Sequence, residues 1–163
     1  QDDKAAVNWF RLAAEQGLAS AQYNLGLMYA KGQGVPQDDK AAVNWYRLAA
    51  EQGDAFAQFS LGVMYDNGQG VPQDDKAAVR WYTLAAEQGG ADAQFNLGVM
   101  YYYGEGVPVN YVQAYKCFSL SAALGDENSD GNLDIIASDM THDQIAEAQR
   151  LAAQWWEDYQ SRQ

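Results

Sequence analysis

Cysteine is almost absent from this sequence. Cys117 stands alone among 163 residues, so no internal disulfide framework can form. Proline occurs only at positions 36, 72 and 108, and each copy falls in a glycine-rich turn. No apolar run approaches the roughly 18 residues that a membrane-spanning helix needs, so membrane insertion is not expected. Basic residues are outnumbered 22 to 10 by acidic ones, for a net charge of −12. Binding to phosphates relies on clustered Lys and Arg, so nucleic acid is not an expected partner. An acidic surface favours basic partners, although solubility alone accounts for it. With one His (His142) and one Cys, no zinc cluster can be assembled, and neither cofactor nor metal is expected. The first residue is Gln1 and not Met, which suggests a processed or excised piece of a longer protein.

What the sequence does have is a repeat. The string QDDKAAV begins at Gln1, Gln37 and Gln73, and LAAEQG begins at Leu12, Leu48 and Leu84, each with a spacing of 36 residues. A worn fourth copy, VNYVQAYKCFSLSAALG, starts at Val109 in the same register. A period in this range indicates a stacked array of supersecondary units. Each period reads as two helices. In the first, Ala6, Trp9, Phe10, Ala13 and Ala14 fall on one helical face, as do Ala42, Trp45, Tyr46, Ala49 and Ala50. Asp residues at its start suit the helix dipole, and Gly17, Gly53, Gly89 and Gly125 stand where a left-handed stop is expected. In the second, Ala21, Leu25, Met28 and Tyr29 share a face, and the helix ends at Gly32 before the turn Gly34-Val35-Pro36. Neither helix alone buries enough apolar surface, whereas stacked neighbours form one continuous core.

The pattern AxAQxxLGxMYxxGxGVPxDxxxAxxWyxxAAxxG closely resembles the Sel-one-like repeat, a relative of the tetratricopeptide repeat. The resemblance covers nearly the whole chain. It implies an all-α fold, a right-handed superhelical α/α solenoid of antiparallel helix pairs, with the LGxMY helices lining the concave wall. It also implies an adaptor that gathers other proteins, in bacteria often exported or facing envelope or host partners. Some relatives are described as hydrolase-like. The paired cysteines of the cysteine-rich subgroup are missing here, so nothing particular to that subgroup transfers. The expected organisation is one array over residues 1–163: an orphan second helix at 1–17, repeats at 18–53, 54–89 and 90–125, and a divergent capping repeat at 126–163. Within that cap, Thr141 and Gln144 read as a capping box for a last helix whose Ile145, Ala148, Ala152, Trp155 and Tyr159 face inward.

Comparing the copies separates packing from display. One half of the LGxMY helix (Ala21, Gln22, Leu25, Gly26, Met28, Tyr29) is identical in the second and third copies. The other half changes at every position. Ser20, Tyr23, Asn24, Leu27, Ala30 and Lys31 become Phe56, Phe59, Ser60, Val63, Asp66 and Asn67, then Asp92, Phe95, Asn96, Val99, Tyr102 and Tyr103. Drift should touch both exposed faces, yet Asp3, Lys4, Glu15 and Gln16 on the companion helix recur unchanged. The variable half is therefore read as a groove that binds a protein or an extended peptide. Asn24, Ser60 and Asn96 offer amide or hydroxyl groups to a peptide backbone, an asparagine-ladder arrangement that the resemblance suggests. Phe56, Tyr102 and Tyr103 offer apolar anchors, Asp66 and Asp92 favour a basic partner residue, and Lys31 accepts a carboxylate. Two alternatives stand beside this one: end-to-end self-assembly, and a hydrolase-like enzyme.

Other signals carry blander readings. Asp126, Asn128, Asp130, Gly131 and Asp134 match the start of a calcium loop, but the closing carboxylate position is Ala137. Cys117 occupies the position of Trp9, Trp45 and Trp81 and reads as a buried substitute, while those tryptophans read as core. His142 reads as an exposed residue at a helix start. No catalytic residue is assigned.

Overall fold

The computed structural model describes residues 2–163, and Gln1, which opens the first copy of the repeat, lies outside them. The described residues form nine helices and no strand: α1 (Asp3–Glu15), α2 (Ala19–Lys31), α3 (Asp39–Glu51), α4 (Ala55–Asn67), α5 (Asp75–Glu87), α6 (Ala91–Tyr103), α7 (Tyr111–Ala123), α8 (Ser129–Ser138) and α9 (His142–Ser161). Each full period thus resolves into two helices of 13 residues.

The acidic starts act as caps. Asp38 and Asp74 accept backbone N–H bonds from Ala41 and Ala77, both at 3.0 Å, and Asn110 does the same for Gln113. Each satisfies a donor that the first helical turn leaves unpaired. At the far ends, Gly17, Gly53, Gly89 and Gly125 have φ of 87°, 93°, 88° and 102°, the expected left-handed stop. Gly34 has a different role. The loop crosses the backbone of Asp3 so closely that a Cβ at Gly34 would collide with the Asp3 carbonyl, and Gly70 crosses Asp39 in the same way.

The described residues cluster into two compact units that divide between Trp81 and Tyr82, inside α5. In the first unit, Val7, Ala14, Ala21, Leu25 and Met28 form one core cluster, and Trp45 from α3 packs against it. A second cluster of Ala42, Val43, Tyr46, Ala49, Leu61 and Met64 receives Trp81 in the same way. Each repeat tryptophan therefore docks on the helix pair before it. Trp9 departs from the expected core position and is 73% exposed, because no pair precedes α1 among the described residues. Gly26 sets the approach of α2 to α3: a Cβ there would stand 2.7 Å from the Tyr46 ring. The buried Gln22 and Gln58 side chains donate to the Ala14 and Ala50 carbonyls at 3.1 Å, which closes the polar accounting inside the seam.

In the second unit, Gly98 repeats that close approach against Phe118, and Gln94 donates to the Ala86 carbonyl. Here the array changes. Leu12 and Leu48 are 54% and 46% exposed, whereas Leu120 at the equivalent position on α7 is 2% exposed. Helix α9 packs on α7 and brings Ala152, Ala153 and Trp156 beside Leu120 and Ala123. The copies show a reason. The exposed Glu15, Glu51 and Glu87 become Ala123, so α7 lacks a charge that each of its counterparts holds in water. The expected capping box is present, with Gln144 N–H donating to Thr141 Oγ1 and Thr141 N–H to Gln144 Oε1. Of the five residues expected to face inward, Ala148 is buried and the rest are half-buried. Trp155 stacks on Tyr159 at 5.0 Å with the rings 8° from parallel.

Candidate functional site

The sequence division of the LGxMY helix coincides with burial. In α2, α4 and α6 the invariant Ala, Gln, Leu, Gly and Met are buried, and the Tyr is half-buried. None of the variable-half residues is buried in any of the three helices. Several nonetheless pack on the core, with Tyr23 and Ala30 against one cluster and Phe95, Val99 and Tyr102 against another.

In the first unit, Ser20, Lys31, Phe56 and Asn67 are exposed, while Tyr23, Asn24, Leu27, Phe59, Ser60, Val63 and Asp66 are half-buried. The Tyr23 ring lies 5.8 Å from Tyr46 and 5.9 Å from Phe56, so it links the packed seam to an exposed aromatic. The surroundings of Tyr46 push its pKa up to about 12, first through burial and then through the neighbouring Tyr23. Asn24 Nδ2 donates to the Ser20 carbonyl one turn back, at 2.7 Å. That bond fixes the amide and leaves Oδ1 and the second Nδ2 hydrogen as the groups able to meet a peptide.

In the second unit, Asp92 and Tyr103 are exposed, and Asn96, Val99 and Tyr102 are half-buried. Three of the expected residues come together. Val99, Tyr102 and Tyr103 of α6, Phe118 of α7, and Asn132 and Ile135 of α8 line a recess of about 90 Å³. Tyr103 and Ile135, 66% and 58% exposed, form its apolar rim. Tyr102 packs edge-on to Tyr103 at 4.9 Å and donates a long hydrogen bond to Asp139 Oδ2. Burial and the Asp139 carboxylate raise its pKa. Asn132 and Ile135 were missed by the sequence comparison, which stopped at three copies. The period itself points to them, because they stand 36 residues beyond Asn96 and Val99. Asn132 Nδ2 also donates to the carbonyl one turn back, that of Asn128, just as Asn24 does.

The remaining signals resolve locally. The candidate calcium stretch runs into α8: Asp126 and Asn128 precede the helix, and Asp130, Gly131 and Asp134 lie inside it and not on a loop. Asp126 accepts from Ser129 Oγ at 2.6 Å, and also from Ser121 and Asn128. These bonds, led by that from Ser129, hold its pKa below the ordinary carboxylate value. Burial pushes the Cys117 thiol up to about 12, which disfavours the nucleophilic thiolate. His142 is the exposed first residue of α9.

Comparison with known proteins gives one consistent result. A family model described as Sel1 repeat matches residues 1–18, 19–54, 55–90 and 91–126. Among solved structures, the chain is similar to a protective antigen present in uropathogenic Escherichia coli strains that displays an SLR fold. Identity there is 33% and TM-score 0.72, over 94% of this chain and 41% of that one. It is similar to a Sel1 repeat protein from Oxalobacter formigenes, with 35% identity and a TM-score of 0.79 over 93% of this chain and 62% of that one. Helicobacter pylori cysteine rich protein B is 27% identical with a TM-score of 0.64, over 81% of this chain and 95% of that one. The chain thus spans less than two thirds of the first two of these proteins. No curated protein matches it.

Proposed function

This chain belongs to the Sel1-repeat family and is an all-α repeat solenoid, and on that premise we propose that it is an adaptor that binds a protein or extended peptide and performs no chemistry. The contact surfaces are the variable halves of α2 and α4 in the first unit and, in the second, that of α6, with α8 adding Asn132 and Ile135. The observation that carries this reading is the split within each LGxMY helix: the half held constant is buried but for its half-buried Tyr, and the half that changes keeps every side chain at least partly exposed. In the second unit the changing residues also surround a recess with an apolar rim, where aromatic anchors concentrate binding energy. The raised Cys117 pKa and the position of His142 at an exposed helix start support a non-catalytic role. A wholly protein-facing role also agrees with a charge of −12, which disfavours nucleic acid.

The test is a selection of peptides from a random display library against the wild-type chain, followed by affinity measurements on Asn96→Ala/Tyr103→Ala. The expected loss for the double variant is at least about tenfold, or 1.4 kcal/mol, with its helical content retained. Affinity within twofold of wild type in a folded double variant removes the reading.

A further inference from the structure

A second recess lies on the other half of α6, away from the variable face. Its volume is about 110 Å³, and Ala86, Leu97, Tyr101, Cys117 and Trp155 form its apolar part. Repeat register shows what belongs there. Ala86, Leu97 and Cys117 stand 72 residues beyond Ala14, Leu25 and Trp45, and Trp45 packs against the cluster that holds Ala14 and Leu25. The recess is therefore a tryptophan slot whose tryptophan has become a cysteine. A second truncation falls at the same place. Arg11 donates to the hydroxyl of Tyr29, and Arg47 to that of Tyr65, at 3.2 and 3.1 Å. In the third copy this arginine is Thr83, which lines the recess beside Tyr101. Trp155 enters from α9 as one wall, and the two truncations leave more room than it fills.

We propose that this recess binds the indole side chain of a tryptophan on a partner protein, in the place that the repeat's own tryptophan takes elsewhere in the chain. The recess is smaller than the roughly 150 Å³ cavity that takes up benzene, so it holds one edge of an indole and leaves the rest of the ring protruding through its open side. Glu87 and Gln113 on the lining supply acceptors for the indole N–H, and Lys116 supplies a donor for the partner backbone. Flanking walls from Trp155 and Tyr101 give the ring aromatic neighbours.

The experiment titrates N-acetyl-tryptophanamide and free indole separately into the isotope-labelled chain and follows amide and indole NMR signals. Saturable shifts at Thr83, Gln113, Cys117 and the Trp155 Nε1–H are expected, with the amide binding at least as well as indole. Cys117→Trp restores the repeat's own residue and is expected to weaken binding at least tenfold. If that variant does not fold, Thr83→Arg narrows the slot from the other side with the same expected loss. Three results overturn the proposal: no saturable shift at the solubility limit of both compounds, unchanged binding in a folded filled variant, or binding of indole with exclusion of the amide. The first means that the truncations only seat Trp155, and the last that the recess takes free ring compounds and not a side chain.

Discussion

At the scale of single residues, two glycines in helices have opposite reasons to be there. Gly26 faces the Tyr46 ring across the α2–α3 seam, and a methyl group would stand 2.7 Å from a ring carbon. Gly131 in α8 meets nothing beyond its own stretch of helix within 4 Å of where its Cβ would be. Replacing glycine by alanine inside a helix gains about 1 kcal/mol from backbone entropy, whereas overpacking a core costs about 1–3 kcal/mol. Gly26→Ala is expected to lower the urea midpoint despite its propensity gain, and Gly131→Ala to raise it. Equal shifts in the two variants would mean that helix propensity and not the seam sets the outcome. Asp126 supports a second expectation at this scale. Its carboxylate accepts bonds from Ser129, Asn128 and Ser121, and its folded pKa lies below the unfolded value. A depressed carboxylate contributes stability that is present above its unfolded pKa of about 4 and is lost as pH falls through the folded pKa. Asp126→Asn should therefore be less stable than wild type at pH 7, and the gap should close in acid. Thermal midpoints measured from pH 7 down to pH 2 check this, and a gap independent of pH contradicts it.

At the scale of elements, α7 shows how one helix sequence acquires a different fate from its three counterparts. Leu48 and Leu120 are the same residue in the same register, one half in water and the other covered by α9. Leu120→Ala is expected to cost about 2–4 kcal/mol, and Leu48→Ala less than about 0.5 kcal/mol. Denaturant unfolding of the two variants measures the difference, and similar losses would show that α9 does not cover α7 in solution. The helices, their caps and their order were legible from the sequence because Asp38, Gly53 and Gly32 act locally and recur with the period. So was the split of α2, α4 and α6 into packed and accessible halves, since a helix face is a local property of spacing. Trp9 was misread because its burial depends on a preceding helix pair, and spacing alone carries no such information. The recess beside Cys117 was equally hidden. It requires Thr83, Cys117 and Trp155 to converge from three helices, and nothing in the local pattern of any one helix states that. Asn132 and Ile135 were within reach of the period, but the AxAQxxLGxMY pattern around them is almost wholly replaced.

At the scale of the whole molecule, charge becomes the deciding quantity. With 22 acidic residues against 10 basic ones, at least a dozen carboxylates have no cation to balance them. The described ion pair, Arg150 with Glu147 at 2.7 Å, is an exposed pair within one helix and offsets little of this. Self-repulsion of like charges destabilises the compact state, and it is weakened when the screening length falls from about 30 Å at 0.01 M salt to a few Å near 1 M. On the proposed reading, basic segments of a partner are drawn by the same charge, and that attraction is screened in parallel. Salt should therefore move two properties in opposite directions: the thermal midpoint rises by a few degrees between low and high sodium chloride at pH 7, while a lysine-rich selected peptide binds more weakly as its on-rate falls. Near pH 4, where carboxylates take up protons and the net charge shrinks, the rise in midpoint should largely vanish. Scanning calorimetry across both salt and pH distinguishes this from a general salting-out effect, which would strengthen apolar burial at either pH. A midpoint that climbs equally at pH 4 and pH 7 would assign the stabilisation to that effect and remove charge from the account.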